Sequence, residues 1–381
     1  MIGGMTSDTS VLGLIVNPIA GMGGRVALKG TDASVLAEAI RRGATPVAAG
    51  RAATALAAFP PGTPVLTAAG AMGADAVRAA GLRPIVVTEI GTTTSAADTM
   101  EAATAMARQG AALILFAGGD GTACAVATAV GGAVPVLGIP TGVKMHSGVF
   151  AVTPAAAGRL AATFLAAAFL AAEPASRRTH DAEVMDSDEA ALRRGAVSAR
   201  LYGIVRVPHA PHLVPRGKNG GAAPDAAAAA ACARVAATLA ADTVHLFGPG
   251  MTTQRVLARL GIAGTPLGVD AVYNDELLGS DLTEAAILRL IADRPARLVT
   301  GVVGGQGFLF GRGNQQISPV VLRRVGRDGI TVLADMAKIA ALPGGVLHVD
   351  TGDAAIDAML GGFWRVRVGP DQWAVCRVAT H

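Results

Sequence analysis

From Val11 to Ile139, short apolar runs alternate with stretches of helical spacing, and this alternation narrows the possible folds more than any other feature of the chain. The runs Val11–Asn17, Thr63–Thr67, Pro84–Glu89, Ala112–Ala117 and Pro135–Ile139 read as strands. Between them, Ala33–Arg42, Ala74–Ala80, Ala96–Gln109 and Thr122–Val130 read as helices. The rhythm predicts an α/β fold with a parallel sheet covered by helices. Ligands of such sheets sit at the carboxyl ends of the strands, so chemistry is expected in the strand-to-helix loops.

An alanine-rich helix, Pro154–Ala172, is expected to lead away from this sheet. Extended segments follow at Ala182–Met185 and Arg200–Val207, then a proline-broken loop, Pro208–Pro224. From Asp242 the alternation returns. Strands are expected at Thr243–Phe247, Leu267–Val272, Arg297–Val303 and Ile330–Ala334, with helices at Thr252–Leu260, Thr283–Ile291 and Pro319–Val325. The segments Phe363–Val368 and Gln372–Val378 read as a hairpin, and Asp350-Thr351-Gly352-Asp353 either faces the site or, the preferred reading, caps a helix over Ala354–Leu360. At roughly 150 residues per domain, 381 residues make two or three domains. We expect a phosphate-binding domain over 1–150 and a substrate-binding domain over 151–330. A closing segment, 331–381, is expected to pack back on the first.

Composition removes several classes. A chain that is 51% hydrophobic and 16% charged is not globally disordered. Cys124, Cys232 and Cys376 are too few and scattered for a disulfide framework. The apolar stretch Leu160–Ala172 is shorter than the ~20 residues of a membrane span, and the N-terminus carries no basic leader pattern. A soluble, cytoplasmic protein without a membrane partner is the expectation. The net charge of +4 is dispersed and aromatics make up 3%, so a nucleic-acid partner is not expected. His209 and His212 are separated by Pro211, which disfavours a helical zinc pair.

The most informative loop is Gly118-Gly119-Asp120-Gly121-Thr122, between an apolar strand and a helix. Glycines there admit phosphate oxygens to backbone N–H groups at a helix N-terminus. A carboxylate among phosphates makes sense with a metal ion or a substrate hydroxyl, so Asp120 is the candidate magnesium ligand and general base. A tight strand-to-helix turn is the plainer alternative. A second loop, with Asn17, Pro18, Gly21, Gly23 and Gly24, ends the first strand and belongs on the same sheet edge. A third carries Thr141, Gly142, Lys144, His146 and Ser147, where Lys144 is suited to neutralising a transferred phosphoryl group. For the substrate we single out Gly248, Gly250, Thr252 and Thr253, then Asp270, and then Gln306, Arg312, Asn314 and Gln315. The first group is suited to an anion at a helix start, although Thr252 also fits as an N-cap. The last offers amides and a guanidinium for a nucleotide.

The strings GGDGT (Gly118–Thr122) and VNPIAGMGG (Val16–Gly24) resemble the superfamily of NAD kinases, diacylglycerol and sphingosine kinases, and 6-phosphofructokinases. Within it, the chain resembles the ATP-NAD kinase-like family that includes the acetoin-catabolism protein X (AcoX). LKGTD (Leu28–Asp32), PTGVKMHSGVFA (Pro140–Ala151) and GPGMTT (Gly248–Thr253) carry that likeness. LGVD (Leu267–Asp270), GGQGFLFGRGNQQISP (Gly304–Pro319) and VDTGD (Val349–Asp353) extend it. The resemblance implies a Rossmann-like N-terminal domain bearing GGDGT, a second C-terminal domain, and a homo-oligomer. It implies phosphoryl transfer from ATP with Mg2+, or from polyphosphate, to a small-molecule hydroxyl, with Asp120 beside the transferring phosphate. For NAD kinases the acceptor is a ribose hydroxyl of NAD, giving NADP. The chain departs from them at Pro140–Phe150, where they carry a G-x-L-G-F-L-type string, and their Asn-Glu pair is echoed only by Asn274-Asp275-Glu276. Two alternatives stay open: a kinase of another hydroxylated metabolite linked to acetoin catabolism, and a nucleotide-binding accessory protein.

Overall fold

The computed structural model describes residues 11–28, 33–91, 94–142, 145–170, 179–187, 199–209, 226–302 and 307–380. Contacts divide the chain into two compact units. The first comprises Met1–Gly21, Pro46–Asp188 and Ser198–Pro215; the second comprises Met22–Thr45, Glu189–Val197 and Arg216–His381.

Among the described residues of the first unit, β1 (Val11–Val16), β2 (Pro64–Ala68), β3 (Arg83–Thr88), β4 (Ala111–Gly118) and β5 (Val136–Pro140) form a parallel sheet in the order β3-β2-β1-β4-β5. The order reverses between β1 and β4, which opens a crevice at their carboxyl ends. The helix α1 (Ala33–Arg41) belongs to the second unit. Those of the first are α2 (Ala48–Leu56), α3 (Ala74–Ala79), α4 (Ala96–Arg108), α5 (Asp120–Val130) and α6 (Pro154–Leu170). Strand periodicity sorts the core onto two faces. Leu113, Leu115 and Ala117 of β4 pack with Ala52 and Ala55 of α2 and with Ala157 and Ala161 of α6. Ile114 and Phe116 pack on the opposite face with Ala102 and Met106 of α4 and Val126 of α5. The antiparallel pair β6 (Thr179–Ser187) and β7 (Ala199–Pro208) adds Val184, Val205 and Val207 to that second face.

The second unit holds a mixed sheet over described residues. Its strands are β8 (Val244–Phe247), β9 (Asp270–Tyr273), β10 (Glu276–Gly279), β11 (Ala296–Gly301), β12 (Phe308–Phe310), β13 (Ile330–Leu333), β14 (Val346–Val349), β15 (Gly362–Arg367) and β16 (Trp373–Ala379). They run in the order β10-β9-β8-β11-β13-β15-β16-β14-β12. β15 and β16 form the expected hairpin, and Asp353 caps Ala354–Leu360, accepting the N–H groups of Ala355 (3.0 Å) and Ile356 (3.1 Å). The strands of the closing segment complete this sheet.

Several local expectations change. α6 does not lead away from the first sheet: it lies against α2 so closely that a Cβ on Gly158 would collide with the Ala55 carbonyl oxygen. α2 itself is not foreseen by patterning, because its buried face, Ala48, Ala52 and Ala55, is alanine and offers little hydrophobic contrast. The strand expected at Leu267–Val272 begins only at Asp270. A Cβ on Gly268 would meet Thr265 and Asp281, so the chain is still turning there. α5 starts at Asp120, two residues early, which places the carboxylate in the helix's first turn.

Candidate active site

Three strand ends come level on the rim of the first unit's sheet. Val16 pairs with Ala117 and Ala117 with Ile139. Beyond them the Asn17 N–H donates to the Ala117 carbonyl (2.9 Å) and the Thr141 N–H to that of Gly118 (3.2 Å). Asn17 to Ala20 is a tight turn with Pro18 second, closed by the Ala20 N–H on the Asn17 carbonyl (3.1 Å). The Asn17 side chain accepts the Ile19 N–H (3.3 Å) and donates through Nδ2 to Thr122 Oγ1 (3.0 Å), tying this loop to the start of α5.

The glycines of the rim fall into two kinds. Gly21 has φ of 80°, and a Cβ on it would collide with the Thr141 carbonyl oxygen; one on Gly118 would collide with the Thr122 side chain. Packing demands both. Gly119 has φ of −117°, a conformation open to any residue, and the nearest atom to a Cβ there would be Gly142 Cα at 3.6 Å. A Cβ on Gly121 would meet nothing within 4 Å. Neither backbone nor protein contact asks for glycine at these two positions. A phosphate approaching the N–H groups at the α5 N-terminus does ask for it.

Asp120, buried at 6% exposure, is the hub of the rim. Its Oδ2 accepts the His146 N–H (2.7 Å), and its Oδ1 accepts the Ser147 N–H (3.0 Å) and the Ser147 hydroxyl (2.6 Å). Ser147 Oγ accepts in turn from the Met185 N–H of β6 (2.9 Å). Charge-assisted bonds of this kind hold the segment with His146 and Ser147 against the GGDGT turn. Thr141 is 4% exposed, and its Oγ1 has no hydrogen-bond partner among the described residues. Arg51 of α2, which no sequence motif flags, donates through Nε to the Pro140 carbonyl and brings a guanidinium to this rim. Lys144 lies outside the described residues.

Among the described residues no group of three or more His, Cys, Asp or Glu side chains is placed to hold a metal ion. Mg2+ commonly takes only one or two carboxylates and completes its shell with water and substrate phosphates. One buried carboxylate beside two glycines that packing does not require fits that habit.

The second unit gathers a different set of loops. A Cβ on Gly24 would lie 3.1 Å from the Gln315 side chain, and one on Gly248 would lie 3.0 Å from Thr300 Oγ1 and 3.4 Å from Ile317 Cδ1. Three segments far apart in sequence therefore meet here. Gly23 accepts the N–H groups of Val26 (3.2 Å) and Leu28 (2.9 Å) through its carbonyl. Gly250, at φ 124°, is the N-cap of the helix Met251–Arg259, so Thr252 lies inside the helix rather than capping it. Thr253 is fully buried and its hydroxyl serves the carbonyls of Gly248 (2.6 Å) and Gly250 (2.7 Å).

Asp270 is also fully buried. It accepts from the Thr265 N–H (2.7 Å) and hydroxyl (2.5 Å), the Asp281 N–H (3.1 Å) and Gln254 Nε2 (3.4 Å). Asn314 accepts the Gly311 N–H (3.1 Å) and donates to the Leu309 carbonyl (2.7 Å), so its amide shapes its own loop. Arg312, 3% exposed, stacks its guanidinium 4.4 Å from the Phe308 ring centroid. Asn274 and Asp275, at φ 48° and 63°, form the two-residue turn between β9 and β10, and the Asn274 amide accepts the Asp242 N–H (2.9 Å) and donates to its carboxylate (3.3 Å). Gln306 lies outside the described residues.

No described helix is long and apolar enough to cross a membrane. No curated protein and no solved structure matches the chain. Residues 12–169 match the model of the ATP-NAD kinase N-terminal domain, and residues 242–378 match that of the ATP-NAD kinase C-terminal domain. The two matches take in most of the chain and follow one another in the order of its two sheets. With that order, a parallel sheet bearing GGDGT at its rim and then a separate mixed sheet, the chain belongs to the ATP-NAD kinase-like family of phosphotransferases.

Proposed function

We propose that the protein transfers a phosphoryl group from ATP, or from inorganic polyphosphate, to a ribose hydroxyl of NAD, giving NADP. The observation that carries the donor half is the pair Gly119 and Gly121, glycines that neither the backbone nor any described neighbour requires. The phosphate chain lies against the N–H groups that open α5, with Thr141 Oγ1 as a further donor. Asp120 orients the acceptor hydroxyl and receives its proton as the hydroxyl oxygen attacks phosphorus and the bond to the leaving phosphate breaks. Arg51 and Lys144 supply positive charge at the same loop. Mg2+, when bound, is held by Asp120 together with the phosphates and offsets their negative charge. The donor and acceptor are tested by incubating the purified protein with NAD and either Mg2+-ATP or polyphosphate, and measuring NADP. NADP formation from one donor, lost in Asp120→Ala, is expected; ATP hydrolysis or binding without NADP overturns NAD as acceptor.

A second reading is a kinase for another hydroxylated metabolite, in line with the AcoX resemblance. The use of Asn274 and Asp275 as a hairpin turn favours it, because the chain then has no residue pair matching the Asn-Glu signature of NAD kinases. An uncharged polyol that is phosphorylated while NAD is not decides for this reading.

A further inference from the structure

Asn314 to Ile317 is a tight turn, closed by the Ile317 N–H on the Asn314 carbonyl (2.9 Å), with Gln315 and Gln316 as its two central residues. Central turn residues ordinarily project into water. Here the opposite holds: Gln316 is 4% exposed, between Asn314 at 0% and Ile317 at 1%. The Oε1 atoms of Gln315 and Gln316 are both buried, and neither has a hydrogen-bond partner among the described residues. The turn is rigidly made. Asn314 holds its entry, Gly311 and Gly313 take positive φ (91° and 73°), and Ser318 caps the next helix through the Val321 N–H (3.4 Å). The Gln315 stem lies against Gly24, and Ile317 lies against Gly248.

A buried carboxamide oxygen that accepts no bond is unfavourable, and an apolar residue of the same shape would suit such a turn better. A structural role accounts for Asn314, whose amide both accepts and donates within the loop, but not for Gln316. We infer that the Gln316 carboxamide, seconded by Gln315, reads a planar donor–acceptor edge of the acceptor molecule. A side-chain amide offers one acceptor and one donor pair in a plane, which matches a primary carboxamide or the amino edge of an aminopurine. NAD carries one of each, on its nicotinamide and on its adenine. The inference rests on the proposed NAD acceptor and extends it to specificity: the second unit selects by edge chemistry.

The test compares wild type with Gln316→Met and Gln316→Leu, by isothermal titration and thermal unfolding. The ligands are NAD, nicotinic acid adenine dinucleotide, in which the carboxamide is a carboxylate, and nicotinamide hypoxanthine dinucleotide, in which the purine amino group is replaced. Wild type should bind one of the two analogues about 100-fold more weakly than NAD, and that analogue names the edge. Both variants should melt no lower than wild type, weaken NAD by a similar factor, and no longer distinguish it from that analogue. ATP affinity should stay unchanged. Variants that melt several degrees lower make Gln316 a structural residue, and variants that bind NAD as wild type does remove it from recognition. Either result overturns the inference while leaving NAD as acceptor. Absence of NAD binding to wild type overturns the acceptor itself, and the inference with it.

Discussion

Asp120 in the first unit and Asp270 in the second are alike in isolation. Each is a buried carboxylate near the end of a strand, gathering backbone N–H groups and a hydroxyl from a neighbouring loop. What differs is the glycine beside them. Around Asp270, a Cβ on Gly264 would come within 2.6 Å of the carboxylate and collide with Leu257, so glycine there lets protein pack on protein. Around Asp120, a Cβ on Gly121 would meet nothing within 4 Å and one on Gly119 would make only an ordinary contact with Gly142 Cα at 3.6 Å. The same carboxylate chemistry closes a tightly packed loop in one place and, in the proposed function, serves a phosphate site in the other.

The two aspartates should respond to substitution in opposite ways. Asp270→Ala leaves buried donors without an acceptor and should cost about 3 kcal/mol or more in urea unfolding. Turnover per folded molecule should remain near wild type. A loss of turnover at full stability would make Asp270 part of the site. Asp120→Asn should do the reverse and lower turnover by ~10²-fold. An amide at 120 must also aim its NH2 at a donor, the N–H of His146 or the donors of Ser147, so the KM for ATP should rise with it. Wild-type-like kinetics in that variant would reduce Asp120 to the role of Asp270.

A glycine pair sharpens the same contrast. Gly264→Ala should destabilise by about 1–3 kcal/mol through overpacking. Gly119→Val should melt like wild type and lose ATP binding in titration. ATP affinity retained in Gly119→Val would mean that the rim takes no phosphate.

The smallest effect concerns pH and the second unit. His245 on β8 is buried, and burial, ahead of the nearby Arg297 charge, pushes its imidazole below its ordinary value, against the raising effect of its bond to the Ala240 carbonyl. The unfolded chain therefore binds the proton more readily than the folded one. Stability from this group is complete above the ordinary imidazole range and declines as pH falls through and below it. His245→Gln should flatten the acid side of a stability-versus-pH curve. An unchanged slope would assign acid sensitivity elsewhere.

Much of the fold is legible in the order of residues along the chain. The strands of the first sheet and the helices at 33, 74 and 96 follow from apolar spacing, because a half-buried element must repeat at its own period. α2 escapes that reading because alanine carries too little hydrophobic contrast, and β12 because three residues inside a glycine-rich stretch make no pattern. In the site, Asp120 and its flanking glycines stand out locally. Arg51 does not, since a lone arginine in an alanine helix looks like any solvated charge.

The alternation, the parallel sheet it requires, and the glycine turn at the end of β4 are all set by neighbours a few residues apart. Packing decides which glycines protein contacts require and which they do not, and that Asp270 and Asn314 are engaged inside the fold. It also decides that Gly24, Gly248 and the turn at Gln315 and Gln316 share one neighbourhood. Those contacts join residues that no local period relates. Only the packing of whole elements brings them within reach of one another, and burial then sets what each polar group can still bind.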